Sequence, residues 1–270
     1  MRKILCAGGF LFLMPAAYTQ SSFLLNAGSL SRNPLSVISL AEQPASLLSN
    51  RSLTLGIGGE KTFLVSGYGQ YTIALALPEG KNSFGLSAFY GGSVLLHKTN
   101  LSLNYARRLG DKLGLALQFN YSSLSLPDNY GKGAAVFSRL GISLQLTPQL
   151  KTAFHISDPF GSSSLKNGEW IHRPDYSVGL GYEPSEKFYA GILFQKQESS
   201  DPQLFIDLVY NPLSYLRVHG GINAADASSW IGVCWFQRHF QFGLIVSMHQ
   251  QLGLSPVSHL QFQQRKNQLP

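Results

Sequence analysis

The sequence predicts an all-β fold, a transmembrane antiparallel β-barrel of about 14 strands with an N-terminal hatch-like segment. Three observations predict it. Only 13% of the 270 residues are charged, whereas soluble domains carry about 25%. Apolar residues alternate with small or polar ones along most of the chain, which is the pattern of strands with one apolar face. Short and long connections also alternate, as in barrels with short periplasmic turns and longer extracellular loops.

The first segment, residues 1–20, has the order of a secretory signal peptide. Arg2 and Lys3 precede an apolar stretch, and the small residues Ala16 and Ala17 follow it. We therefore expect export. Removal of this segment leaves Cys234 as the one cysteine, so no internal disulfide is possible. The remaining cations are scattered without a basic stripe, which argues against a nucleic-acid partner.

Residues 21–50 form the second segment, and they lack sustained alternation. Arg32 and Glu42 are the only ionic residues here, while many apolar residues are present. Because this segment precedes the first strand, we expect it to fold into the lumen as a hatch or plug. A flexible periplasmic tail is the alternative, and the apolar content fits it poorly.

Residues 51–264 carry the strand pattern, and residues 265–270 are expected to be a periplasmic tail. In LSLNYARRLGDKLGLALQFNY (101–121), a loop of Arg108, Leu109 and Gly110, with Gly110 left-handed, would set Tyr105 opposite Leu113. All apolar side chains of the hairpin then share one face. That face is predicted to contact lipid rather than a soluble core, because the other face has too few charges for a solvated surface.

The face without the large apolar residues predicts the lining of a narrow, wet lumen. Its charged and ionisable candidates are Arg139, His155, Asp207, Arg217 and His219. Asp207 and Arg217 flank Pro212 symmetrically, so a cross-strand ion pair between them is expected. Gly91–Gly92 and Gly220–Gly221 are places where a strand kink could open a lateral window.

Two stretches resemble the PorV/PorQ-type outer-membrane proteins of Bacteroidota, which are relatives of the FadL transporters. ISLAEQPASLLSN (38–50) is similar to the N-terminal segment of that family at Ala41, Ala45, Leu47 and Asn50. SMHQQLGLSPVSHLQF (247–262) resembles its closing hairpin at four positions, His249, Leu252, Gly253 and His259. The Pro-Ala-Gly that follows the Asn in the family is absent here.

The resemblance implies a FadL-like barrel in the outer membrane of a Bacteroidota-like cell. It implies a non-enzymatic accessory or attachment role in type IX protein secretion, with secretion components or cargo as partners. The alternative is a FadL-like passive transporter of hydrophobic small molecules, with a hydrophobic ligand as partner. A third hypothesis, a secreted soluble β-protein with a binding role, stays open at this point.

No motif in the sequence indicates catalysis, a cofactor or a metal. The seven histidines have no zinc-like spacing, and neither a phosphate-binding loop nor a GxSxG elbow occurs. The longest polar connection contains SSSLKNGEWIHRP (162–174). Trp170, Ile171 and Arg173 in it are the predicted partner-contact residues, and packing of this loop over the barrel mouth is equally compatible with the sequence.

Overall fold

The computed structural model describes residues 28–32, 36–127, 132–159, 163–165, 174–198 and 200–264. Fifteen strands lie in these ranges. They are β1 (Thr54–Glu60), β2 (Gly69–Glu79), β3 (Asn82–Gly92), β4 (His97–Leu109), β5 (Leu113–Ser125), β6 (Lys132–Gln145), β7 (Leu150–Ser157), β8 (Ser163–Leu165), β9 (Asp175–Ser185), β10 (Phe188–Gln197), β11 (Gln203–Leu213), β12 (Leu216–Asn223), β13 (Ser228–Gln237), β14 (Phe240–His249) and β15 (Gly253–Gln263). Three 3₁₀ helices accompany them: Val37–Ala41, Pro44–Ser49 and Thr62–Leu64.

The strands close into an antiparallel barrel of 14 positions, as predicted. Each strand pairs with its neighbours in the chain, and β1 pairs with β15 to complete the ring. The short β8 is not a further position, because it pairs with β6 just beyond the residues that β7 occupies. β7 and β8 therefore follow one another along the same edge, and β9 is the next strand of the ring.

The connections are uniformly short on one rim and vary in length on the other. On one rim they span two to four residues, for example 80–81, 110–112 and 214–215. On the other rim they include 61–68, 93–96 and 126–131. The start of β1 and the end of β15 lie on the short-turn rim, which is the periplasmic rim in outer-membrane barrels.

The outer face of the barrel is apolar. Leu115, Phe119, Ile192 and Leu244 do not converge on a common core, because each projects outward with 39–54% of its surface exposed. Small, polar and charged side chains occupy much of the inner face and are buried. Since a continuous apolar surface is stable against hydrocarbon and not against water, this distribution is that of a transmembrane barrel.

Among the described residues, no helix is long and apolar enough to span a membrane.

The register of the β4–β5 hairpin differs from the prediction by four residues. Gly110 does adopt positive φ (71°), but the loop comprises residues 110–112 and Tyr105 pairs with Leu117. The turn therefore lies two residues further along the chain than expected, so β4 ends later and β5 begins later. Because the displacement is an even number of residues, every side chain keeps the face that the sequence predicted.

The ion pair expected between Asp207 and Arg217 was wrong for a similar reason. The β11–β12 turn lies at residues 214–215, beyond Pro212, and a register shift precedes it. Asp207 therefore pairs with Gly221, and Arg217 lies nearer the turn. Its guanidinium donates from Nε to Asn211 Oδ1 at 2.8 Å and lies over the Phe236 ring.

Neither glycine pair that was considered for a lateral window opens the wall. Gly91 and Gly92 are paired with β2 on one side and with β4 on the other. Gly220 and Gly221 are likewise paired with both β11 and β13. The ladder is continuous at both places.

Candidate functional site: the hatch and the lumen

The N-terminal segment lies inside the barrel and forms the hatch, here residues 28–32 and 36–50. Its two 3₁₀ helices fit the sequence: the Ser36 side chain accepts a hydrogen bond from Ile38 N at 3.2 Å, and Pro44 occupies the start of the second helix. Four apolar side chains of the hatch are at most 1% exposed: Val37, Ile38, Leu40 and Leu47. Burial of each stabilises the hatch by roughly 1.5–3 kcal/mol relative to exposure.

Glycines on the inner wall provide the space that the hatch occupies. A Cβ at Gly56 would stand 2.5 Å from Val37 Cγ1, and one at Gly114 would stand 2.2 Å from Leu48 Cδ1. A Cβ at Gly85 would approach both Leu40 and Leu47 within 3.3 Å. Glycine at these positions allows the hatch to pack directly on the strand backbone.

A polar latch, formed by Gln118 and Arg139, holds the junction between the two helices. Arg139 pairs with Glu42 of the hatch at 3.0 Å and with Asp175 of β9 at 3.6 Å. Its Nη1 also donates to the Ala41 carbonyl at 2.7 Å. Gln118 Nε2 donates to the same carbonyl at 3.2 Å. One buried cation thereby connects the hatch, β6 and β9.

His155 extends this network on β7. One ring nitrogen lies 2.9 Å from Asp175 Oδ1, and the other lies 3.1 Å from Gln43 Oε1 and 2.6 Å from Ser177 Oγ. Gln43 Nε2 also donates to Ser177 Oγ at 3.2 Å. Glu42 and Gln43, the two residues between the helices, thus both bond to the barrel wall through their side chains.

A second anchor fixes the start of the described hatch near the short-turn rim. Glu183 accepts hydrogen bonds from Ser31 Oγ (2.9 Å) and Arg32 N (3.1 Å), and it pairs with Arg32 Nε at 3.1 Å. Gly28 N donates to Asp207 Oδ2 at 2.5 Å. Leu30 packs where a Cβ at Gly179 would stand.

The five lumen candidates from the sequence are all buried on the inner wall, at 1–8% exposure. The structure divides them into three places. Arg139 and His155 belong to the latch network, and Asp207 contacts the hatch at Gly28. Arg217 and His219 lie on β12, outside both anchors. The hatch motif residues Ala41, Ala45, Leu47 and Asn50 are all buried in the lumen.

Sequence reasoning missed an apolar strip on the inner wall. Inward-facing residues of five strands form it together with Ile38 and Ala41 of the hatch: Leu193, Phe205, Trp230, Ile245 and Val257. The signal was present as runs of three apolar residues, such as Ile192–Phe194 and Leu204–Ile206, in which both faces of the strand are apolar. Strands β4–β9 line the lumen mostly with polar or small side chains and form its polar side. On β10–β15 the apolar strip lies beside buried polar side chains such as Asp207, His219 and Gln261.

Comparison with solved structures finds the same barrel fold in several proteins. The chain superimposes on CymD, a monoaromatic hydrocarbon channel, with a TM-score of 0.65 and 12% identity, over 91% of this chain and 100% of that one. For the toluene transporter TbuX of Ralstonia pickettii the TM-score is 0.66 and the identity 14%, over 90% of this chain and 100% of that one. For the toluene transporter TodX of Pseudomonas putida they are 0.60 and 12%, over 87% and 96%.

The chain has the fold of these channels. No protein-family model and no curated protein matches it. The β-barrel fold that the resemblance implied is confirmed by these structures, whereas the FadL relation and PorV/PorQ membership stay predictions. The outer-membrane location likewise stays a prediction, and residues 1–20, the expected signal peptide, lie outside the described residues.

The predicted partner-contact residues Trp170, Ile171 and Arg173 also lie outside the described residues, as does the tail 265–270. Within the described part of the chain, no group of three His, Cys, Asp or Glu could hold a metal ion.

Proposed function

We propose that the protein is an outer-membrane channel for apolar small molecules, gated by its N-terminal hatch. The observation that carries the proposal is the apolar strip. A water-filled pore gains nothing from Phe205, Trp230 and Ile245 on its inner wall, whereas an apolar solute partitions onto such a surface. In the described structure Ile38 and Ala41 of the hatch cover the strip.

The experiment is uptake of labelled toluene by cells whose outer membrane contains the full chain. Uptake above that of vector-only cells is expected. Phe205→Asn or Leu193→Asn in the apolar strip should lower it about tenfold, the effect of about 1.4 kcal/mol. Asn120→Ser on the polar side is the matched control and should leave uptake unchanged. Uptake of both toluene and a long-chain alkane at the vector level would overturn the proposal.

The accessory role in type IX secretion makes a different prediction. The similarity to a monoaromatic hydrocarbon channel and two toluene transporters favours transport over that role. Deletion of the gene separates the two. Lost uptake of apolar compounds with normal secretion supports transport, and cargo accumulating in the periplasm supports the secretion role.

A further inference from the structure

The barrel wall has a groove on its outer side, where the first and last strands meet. It lies across β15, β1, β2 and β3 and has a volume of about 590 Å³. Small residues lie along it: Gly59, Ala88 and Ser258. Bulkier side chains border it: Ile57, Tyr71 and Leu260.

The groove belongs to the lipid-facing surface. Ile57, Tyr71 and Leu260 project outward with 40–59% of their surface exposed. Gly59 pairs with Ser258 on one side and with Tyr71 on the other, so two small residues adjoin on the outer face. A depression forms there because their neighbours along the same strands are bulky.

The wall behind the groove is intact. All seven residues of β1 are paired with β15 and with β2. On the inner side the first 3₁₀ helix of the hatch packs on β1, with Val37 against Gly56. The groove is therefore a site on the outer surface and not an opening into the lumen.

We propose that this groove binds one acyl chain of a membrane lipid. It is continuous with the surface that faces hydrocarbon, and its volume lies within the roughly 300–1,000 Å³ of small-ligand pockets. A flexible alkyl chain can follow a narrow concave path. A second barrel is a poor occupant, because two convex walls meet along a line and cannot fill a depression, while stable interfaces bury about 800 Å² per partner.

The experiment is photo-crosslinking with the full chain in lipid nanodiscs. The probe is a phosphatidylethanolamine with a diazirine in one acyl chain. Label is expected on peptides from β1, β2 and β15, in excess over the rest of the outer face. Gly59→Leu fills the groove and should lower that label about tenfold, equivalent to about 1.4 kcal/mol.

Ala190→Leu on the outer face of β10 is the matched control and should keep the label. Ser258→Leu repeats the test from the neighbouring strand, so the proposal does not depend on the folding of one variant. Heat-modifiable migration in detergent verifies that each variant forms a barrel. Equal labelling of the wild type and both groove variants, or crosslinks between two copies through β1 and β15, would overturn the proposal. The transport assay is independent of this result.

Discussion

At the scale of single residues, Arg139 decides how the hatch is held. It is 5% exposed and lies between two carboxylates from different elements, Glu42 of the hatch and Asp175 of β9. A cation in this position is stable only because both partners and the Ala41 carbonyl compensate its desolvation. Loss of the guanidinium leaves Glu42 and the carbonyl without that partner.

We expect Arg139→Gln to loosen the hatch. Removing one partner of a buried pair costs about 3–5 kcal/mol, so ion conductance through the protein in planar bilayers should rise. The matched control is Glu42→Gln combined with Arg139→Gln. Because the two side chains interact, the increase in conductance of the double variant should be smaller than the sum of the increases of the two single variants. Strict additivity would show that this pair does not hold the hatch.

The folding stability of the same variants gives an independent measurement. Urea unfolding in detergent should show a lower midpoint for Arg139→Gln than for the double variant, since the double variant buries one uncompensated charge fewer. The reverse order would contradict the role of this ion pair.

At the scale of elements, the first 3₁₀ helix packs closely on β1 because β1 has glycines where side chains would otherwise stand. β1 has glycine at positions 56, 58 and 59, and Val37 packs on the first of these. Valine has a restricted χ1, so it cannot rotate away from an added side chain at low cost. Strand and helix must therefore separate if Gly56 is replaced by a larger residue.

Gly56→Val should displace the hatch while leaving the barrel closed. The expected result is higher conductance with unchanged heat-modifiable migration in detergent. Val37→Ala in the same chain removes the clashing methyl groups and should restore low conductance. If Gly56→Val alone conducts like the wild type, the hatch does not depend on this contact.

At the scale of the whole molecule, stability depends on the outward-facing side chains of the strands, which contact lipid. Lysine on the lipid face near the bilayer midplane costs about 2–4 kcal/mol in transmembrane barrels. In a soluble protein, a change from an exposed apolar residue to lysine is close to neutral. The loss of unfolding free energy therefore distinguishes a lipid-facing position from a water-facing one.

Ile192→Lys, at an outward position in the middle of β10, should lower the unfolding free energy in lipid by that amount. Val94→Lys, in the 93–96 connection, is the control because Val94 is 88% exposed and lies outside the strands. It should leave the unfolding free energy within experimental error. Equal, small effects of both changes would argue against lipid contact at Ile192.

The sequence by itself determined the class of this protein, because alternation and charge content are local properties. One-residue alternation marks both faces of each strand, and a deficit of charge shows that the outer face does not contact water. The 14 strands, their order and the alternation of turn lengths follow from these patterns. The apolar content of residues 21–50 also predicted that this segment folds into the lumen, where its described residues 28–32 and 36–50 lie.

Only the tertiary structure decided which residues meet. The sequence did not establish the register at Gly110 and Pro212, since several turns satisfy the same alternation. The ion pair that holds the hatch joins Glu42 and Arg139, which lie 97 positions apart in the chain. The apolar strip combines residues from five strands of the barrel with two residues of the hatch. Such contacts arise from the closure of the barrel around its own N-terminal segment, and no local pattern encodes which partners that closure brings together.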